Sequence, residues 1–194
     1  MKAVVLFSCL LFGAGFLYHF SGSVPADAAS AKTYSYKPTK ARKDDLPVPP
    51  VRIIIDKSKY ELTVMDAQGW YATYPVVFGL APQEDKKMEG DRRTPEGSFK
   101  IVAKRPHNKW QKFMALDYPN AESLARFQQR VLRGEVPRTA RPGGGVGIHG
   151  TWPRDEFMID RYSNWTNGCI ALKNEDIDEL YSYIPVGTPV SIKK

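Results

Sequence analysis

Residues 51–79, VRIIIDKSKYELTVMDAQGWYATYPVVFG, decide the fold class. Residues 51–56 are rich in β-branched side chains and are followed by the turn-forming KSK, and residues 60–66 then alternate until Gln68 and Gly69 interrupt them. This pattern is typical of two strands joined by a short turn. Residues 70–79 predict a third strand, in which Pro75 indicates a sheet edge or a bulge, because proline donates no main-chain hydrogen bond.

Short strands and two helices follow this segment. A helix is predicted over residues 119–134, with Asn120 as its N-cap and Gly134 at its end, and a second helix begins at the predicted cap Asn174 and runs to Ile184. The further predicted strands are 98–103, 113–118, one within GGGVGIHG (143–150), 169–172 and 188–192. The sequence therefore predicts one mostly β or α+β domain over residues 49–194.

The chain upstream of this domain differs in composition. Residues 3–18 are apolar behind Lys2, and Ala26-Asp27-Ala28 is a small-residue cleavage pattern, so residues 1–28 predict a signal peptide or an uncleaved N-terminal membrane anchor. Residues 29–48 are basic and contain Pro38 and Pro47, which predicts a flexible linker. The formal charge of +7 indicates attraction to an anionic surface. We expect an extracytoplasmic location.

Cys169 is the candidate for chemistry. If residues 1–28 are removed or lie in a membrane, Cys9 is lost as a partner, and an unpaired cysteine in an exported chain is a candidate reactive thiol. A thiol attacks carbonyl groups as the thiolate and needs a base beside it, and His149, which lies between GI and Gly150, is the best placed histidine. Gly168 adds a turn whose NH groups can face an oxyanion. An inert buried cysteine with an unrelated histidine, or a metal site, remains an alternative from these residues alone.

Two motifs bring a resemblance to a known family. GIHGT (147–151) and TNGCIAL (166–172), with KSKYELTVMD, GDRRTPEGSFKI and ALDYPN upstream in the same order, resemble the L,D-transpeptidase catalytic domain, also called the YkuD domain. The resemblance covers nearly all of residues 51–194. It implies a β-sandwich-like catalytic domain with two short helices, in which a cysteine thiolate attacks a peptidoglycan stem peptide.

The resemblance also implies residue roles. Cys169 would be the nucleophile, His149 the general base, and the Gly150 carbonyl the group that orients His149. The NH groups of Gly168 and Cys169 would form the oxyanion hole, with Thr166 as a supporting donor. Asn167 beside Gly168, and Ala171 two residues after the cysteine, depart from many family members, which carry His or Arg and Arg at these positions. Substrate-binding candidates in the loop between the motifs are Trp152, Arg154, Tyr162 and Trp165.

Three functions follow from these observations. The first is a peptidoglycan L,D-transpeptidase that releases D-alanine from stem tetrapeptides and transfers the acyl group to an amine. The second is an L,D-carboxypeptidase or amidase that hydrolyses the same class of bond, and the third is a wall-binding module without catalysis. The predicted partners are peptidoglycan stem peptides and, through residues 1–28, a membrane. The sequence predicts no cofactor, no metal site, because a zinc site needs more Cys or His ligands near Cys169, and no nucleic-acid partner.

Overall fold

The structure, a computed structural model, describes residues 38–40 and 45–194. These ranges form nine strands and three helices. The strands are β1 (Thr39–Lys40), β2 (Arg52–Asp56), β3 (Glu61–Asp66), β4 (Gly69–Pro75), β5 (Gly97–His107), β6 (Gln111–Leu116), β7 (Gly147–His149), β8 (Ile170–Ala171) and β9 (Pro189–Lys193). The helices are α1 (Ala121–Leu132), α2 (Phe157–Asp160) and α3 (Asn174–Tyr183).

The described strands form one mixed sheet in the order β1-β4-β3-β2-β9-β5-β6-β7-β8. β2, β3 and β4 are a meander of antiparallel strands, as the opening segment predicts. β5 joins the two halves of the sheet, because residues 97–100 pair with β9 whereas residues 101–107 pair with β6, with a register shift between Ile101 and Ala103. The predicted mostly β, α+β fold class is confirmed, and the short helix α2 adds to the two helices that the sequence predicts.

The alternating pattern of the strands produces the core. In β3, Leu62 and Val64 are fully buried, whereas Thr63 and Met65 between them are only half-buried. Successive side chains of a strand point to opposite faces, so this alternation places one face of the sheet in the core. Each fully buried aliphatic side chain of this kind contributes about 1.5–3 kcal/mol to folding.

The helix ends agree with the sequence in one case and differ in the other. Asn120 is the N-cap of α1, and its Oδ1 accepts a hydrogen bond from the Ser123 N–H at 3.0 Å. The prediction that Asn174 caps α3 is wrong: Lys173 is the N-cap, and Asn174 is the first helical residue. The Asn174 side chain instead accepts the Thr151 N–H at 3.0 Å and so joins α3 to the chain beyond His149.

Part of the predicted linker contacts the domain. Thr39 and Lys40 form β1 and pair with β4, and the Tyr71 hydroxyl donates to the Asp45 carbonyl at 2.7 Å. The predicted signal peptide or anchor, residues 1–28, lies outside the described residues, as does most of the predicted linker over residues 29–48. The described part of the chain contains no helix that is both long enough and apolar enough to span a membrane.

One end of the sheet holds the two motifs. β7 carries His149, and its parallel neighbour β8 begins one residue after Cys169. The chain after β4 reinforces this end of the sheet, because Val77 and Ala171 exchange main-chain hydrogen bonds of 3.0 and 2.9 Å. Gly79 forms a further bridge to Thr166. A Cβ added at Gly79 would lie 2.2 Å from the Arg92 carbonyl oxygen.

Candidate active site

Strand register places Cys169 and His149 on the same face of the sheet. β7 and β8 pair with Ile148 opposite Ile170 and His149 opposite Ala171. Side chains alternate along strands, so residues 147 and 149 of β7 share a face with Ala171 of β8 and, if the register is continued by one residue, with Cys169 directly before β8. His149 and Cys169 are therefore diagonal neighbours. Gly147 and Ala171, the other positions of this face, have at most a methyl group, and a Cβ added at Gly147 would lie 2.5 Å from the Phe113 ring.

Cys169 has a half-buried thiol that is held by the glycine-rich segment. Its Sγ donates to the Gly145 carbonyl oxygen at 3.6 Å. Burial raises the pKa of the Cys169 thiol, and the Gly147 N–H and the positive charge of Lys86 offset only part of this rise. The resting cysteine is therefore a neutral thiol near pH 7, and its activation needs a base.

His149 is almost completely buried and is held in one tautomer. Its Nδ1 lies 2.7 Å from the Gly150 carbonyl oxygen. A carbonyl oxygen can only accept, so Nδ1 carries the proton in the neutral ring and Nε2 has the free lone pair. Burial lowers the pKa of His149 to about 4, while the bond to Gly150 acts in the opposite direction and the nearby His107 lowers it slightly further. The imidazole is thus a neutral base at physiological pH.

An aromatic cluster surrounds His149. The Trp110 ring stacks on the imidazole with centroids 4.4 Å apart, and Trp165 meets its edge at 5.6 Å. Trp152 in turn packs against Trp165 with centroids 4.7 Å apart. The Trp110 carbonyl also accepts the Gly150 N–H at 3.0 Å. Trp110 therefore fixes both the ring of His149 and the peptide that follows it.

The turn before Cys169 is fixed by Thr166. Thr166 Oγ1 donates to the Cys169 carbonyl oxygen at 2.7 Å and accepts the Gly168 N–H at 3.1 Å. The Gly168 N–H, which the resemblance assigns to the oxyanion hole, thus donates to Thr166 in this structure, and its role in the oxyanion hole stays a prediction. Within the described part of the chain the Cys169 N–H makes no hydrogen bond, so it is the available main-chain donor of the pair. Gly168 itself has φ +137°.

The other predicted site residues divide into two groups. Asn167 is exposed and lines the cleft beside Cys169, and Trp152 and Trp165 belong to the cluster around His149. Tyr162 instead packs edge-on against Tyr60, with centroids 5.4 Å apart. Arg154 is exposed, and no described contact connects it to the cleft.

A cleft of about 450 Å³ opens at Cys169. It is lined by Lys86, Glu89, Gly90, Arg92, Gly143, Gly144, Gly145, Val146, Asn167, Gly168 and Cys169. Lys86 and Arg92 are not among the site residues that the sequence predicts, because residues 80–93 are rich in charged side chains and show no catalytic motif. Trp110 is also absent from the predicted site: β5 continues beyond the predicted end at residue 103 to His107 and forms a hairpin with β6 that brings Trp110 to His149. The described residues contain no group of three His, Cys, Asp or Glu side chains that could hold a metal ion.

These features define a mostly β domain with a histidine on β7 and, directly before the adjacent β8, a cysteine that lines a cleft. The chain belongs to the YkuD family of L,D-transpeptidase catalytic domains, since a model of that family matches residues 50–192. The protein YqjB of Bacillus subtilis (strain 168) is 27% identical over 144 residues, which are 72% of this chain and 69% of YqjB.

Solved structures have the same fold. Pgp2 of Campylobacter jejuni, described as a helical cell shape determining protein, has a TM-score of 0.54 and 23% identity, with 80% of this chain and 50% of that chain covered. An L,D-transpeptidase from Mycobacterium smegmatis has a TM-score of 0.50 and 18% identity, with 74% and 58% covered. This chain thus spans about half the length of these two proteins. At these identities the likeness supports the fold alone.

Proposed function

We propose that this protein is a peptidoglycan L,D-transpeptidase in which Cys169 is the nucleophile and His149 the general base. The observation that carries the proposal is the register of β7 and β8, which brings His149 of β7 and Cys169, the residue directly before β8, to diagonal positions, with Cys169 at the cleft. Membership of the L,D-transpeptidase family supplies the class of substrate, a stem peptide of peptidoglycan. It follows that the protein acts outside the cytoplasm.

The first half-reaction follows from the protonation states. His149 Nε2 removes the thiol proton as Cys169 Sγ attacks the carbonyl carbon that precedes the terminal D-alanine. In this proposal the Cys169 N–H donates to the oxyanion of the tetrahedral intermediate. The C–N bond then breaks, the imidazolium returns its proton to the leaving amine, and free D-alanine departs from a Cys169 thioester.

The second half-reaction consumes the thioester. An amine of a second stem peptide loses a proton to neutral His149 and attacks the thioester carbon, which releases the peptide product and returns the thiol. If water attacks instead, the product is a tripeptide, and the protein is an L,D-carboxypeptidase. A wall-binding module without catalysis needs neither the thiol nor the imidazole.

Incubation of the full chain with disaccharide tetrapeptides, followed by mass spectrometry, tests the proposal. We expect cross-linked dimers that have lost one D-alanine, and no product from Cys169→Ala. Tripeptides without dimers would replace the transferase by the hydrolase. Unchanged substrate with a folded parent protein, or full turnover in Cys169→Ala, would refute the nucleophile.

A further inference from the structure

Lys86 is a buried cation in the wall of the cleft that opens at Cys169. Only 4% of its side chain is exposed, although it lies in a segment of charged residues. Lysine rarely occupies such a position, because its charge loses hydration unless a partner or a ligand compensates. Lys86 is not needed for the proton transfers between Cys169 and His149. Its burial at the cleft therefore calls for another explanation.

The Lys86 ammonium lies close to the residue that precedes the nucleophile. A Cβ atom built on Gly168 would be 3.8 Å from Lys86 Nζ, and one built on Gly143 would be 3.4 Å from Lys86 Cε. The end of this side chain thus lies between the glycine-rich segment and the turn that holds Cys169. The same charge lowers the pKa of the Cys169 thiol, although burial has the larger, opposite effect.

Asp91 holds the ammonium in place. Its Oδ1 accepts from Lys86 Nζ at 2.7 Å and from the Arg93 N–H at 3.0 Å, and its Oδ2 accepts the N–H groups of Lys87 and Met88 at 2.6 and 3.1 Å. Burial raises the pKa of Asp91, but the bonds from Lys86 and from the main chain outweigh it and leave the pKa lowered. The carboxylate is therefore ionised at neutral pH.

The main chain around Lys86 is also fixed. Arg130 donates to the Lys86 carbonyl oxygen at 2.6 Å, and the Glu89 N–H donates to the Arg141 carbonyl at 2.8 Å. Within the described residues, Asp91 is the sole hydrogen-bond partner of Lys86 Nζ, so two of the three ammonium donors remain for a ligand. The remaining charged residues that line the cleft, Glu89 and Arg92, are exposed.

We propose that Lys86 binds the C-terminal carboxylate of the acyl donor, one residue beyond the carbonyl that Cys169 attacks. This assignment rests on the proposed function for the identity of the donor. In a tetrapeptide the D-alanine carboxylate is separated from the scissile carbonyl by one amide nitrogen and one Cα, so it reaches a group beside Gly168. An ammonium that is fixed before binding selects donors with a free carboxylate over amidated or extended ones.

The direct test needs no peptidoglycan. Anionic iodoacetate and neutral iodoacetamide alkylate the same thiol, so the ratio of their rates at Cys169 reports the charge of the cleft. The rates are measured at pH 7 on the full chain from the mass of the tryptic peptide 162–173, which excludes Cys9. Lys86→Met is compared with Lys87→Met, which removes the adjacent, more exposed lysine that pairs with Glu84.

We expect Lys86→Met to lower the iodoacetate-to-iodoacetamide ratio about tenfold, the size expected of one cation near a partly screened anion. Lys87→Met should leave the ratio unchanged, Lys86→Arg should retain most of it, and Asp91→Asn should raise it by removing the neutralising carboxylate. If Lys86 had only a structural role, Lys86→Met would change the iodoacetate and iodoacetamide rates by the same factor. An unchanged ratio in folded Lys86→Met would overturn the proposal, and Lys86→Gln replaces it if the Met variant does not fold.

A second measurement separates this inference from the proposed function. With a tetrapeptide donor, Lys86→Met should raise KM about tenfold, with little change for the same peptide bearing a C-terminal amide. Suppose that the parent turns over the tetrapeptide and its C-terminal amide equally well and shows no preference for iodoacetate. That result would refute the role of Lys86 and leave the transpeptidase proposal intact. An iodoacetate preference without any turnover would refute the proposed function and support the anion site.

Discussion

The indole ring of Trp110 lies nearly parallel to the imidazole of His149, with ring centroids 4.4 Å apart and an angle of 20° between the planes. The same indole also stacks against His107, again with ring centroids 4.4 Å apart. Trp110 thus contacts both the half-buried His107 and the candidate base. Its ring excludes water from one face of His149, which explains in part why burial lowers the pKa of this residue to about 4.

Removal of the Trp110 ring should disturb the base and leave the fold intact. We expect Trp110→Ala to move the pKa of His149 upward toward its ordinary range, because water gains access to the ring. Turnover should fall about 100-fold, as expected for loss of orientation near a reacting group. The Trp110 carbonyl still holds the Gly150 N–H in this variant, so the effect isolates the ring.

NMR titration of His149 and turnover of tetrapeptide measure the two effects. Trp110→Phe should restore most of both, and Trp70→Ala, which removes a partly exposed tryptophan of β4, should change neither. If the pKa of His149 stays near 4 in Trp110→Ala, groups other than the indole exclude water from the imidazole.

The Thr166 hydroxyl should be needed for the geometry of the nucleophile. Thr166→Val keeps the shape of the side chain but removes the two hydrogen bonds to the Cys169 carbonyl and the Gly168 N–H. We expect the free energy of unfolding to fall by about 1–3 kcal/mol, because a buried N–H is left without a partner. Turnover should fall as well, since Cys169 is no longer held.

Urea unfolding and turnover assays check this expectation, with the exposed Thr139→Val as the control. An unchanged stability would show that water replaces the hydroxyl. Higher turnover would identify the Gly168 N–H, released from Thr166, as an oxyanion donor and would support the assignment made from the sequence.

Gly168 and Gly69 should separate backbone strain from steric contact. Both have positive φ, +137° and +108°, but a Cβ on Gly168 would lie 2.7 Å from the Arg93 carbonyl oxygen, whereas Gly69 has nothing within 4 Å. We expect Gly69→Ala to cost about 1–3 kcal/mol of stability from strain alone. Gly168→Ala should lower the stability by a larger amount. It should also displace Cys169, so that iodoacetamide no longer alkylates this thiol. Equal losses of stability in thermal unfolding would contradict the steric argument.

The sequence predicted most of the fold because its signals are local. The turn at Gln68 and Gly69, the alternation of residues 60–66 and the cap at Asn120 each depend on neighbouring residues, and the structure contains all three. Asn174 was misassigned because its side chain satisfies the distant Thr151 N–H, a contact that no local pattern reveals.

Parts of the candidate site depend on contacts between distant segments. The pairing of Cys169 with His149 stays a prediction that the register of β7 and β8 supports. Lys86 was not found because it lies among charged residues whose local pattern is that of a solvated loop. Its burial results from Asp91 and from the turn at Gly168, which is 82 positions further along the chain (168 − 86 = 82). Trp110 was missed because β5 extends beyond the predicted end at residue 103.

The pH dependence of Cys169 should reveal a neutral pair in the resting protein. Because burial raises the pKa of the thiol above its ordinary value, alkylation by iodoacetamide should be slow at pH 7 and should increase into the alkaline range. The pKa of His149 is about 4, so turnover should persist through mildly acidic pH and decline only as the base is protonated near that value. A rapid, pH-independent alkylation between pH 5 and 8 would indicate a preformed thiolate and imidazolium pair instead.

Asp176 should make the fold less stable as the pH rises. This carboxyl lies almost fully buried in α3, and its Oδ2 has no described hydrogen-bond partner. Burial, with Glu175 as the next contribution, raises its pKa to about 7 from an ordinary 3.8. A raised folded-state pKa means that the stability contribution is fully present below the unfolded value and is lost as the pH rises through about 7.

Asp176→Asn removes this titration, so its melting temperature should exceed that of the parent by about 5–10 °C at pH 8 and by much less at pH 5. Asp178→Asn on the same helix, which loses an ion pair with Lys112, is the control and should show no such pH-dependent gain, because partly exposed pairs contribute little. A difference between Asp176→Asn and the parent that stays constant from pH 5 to pH 8 would show that Asp176 keeps one protonation state across this range.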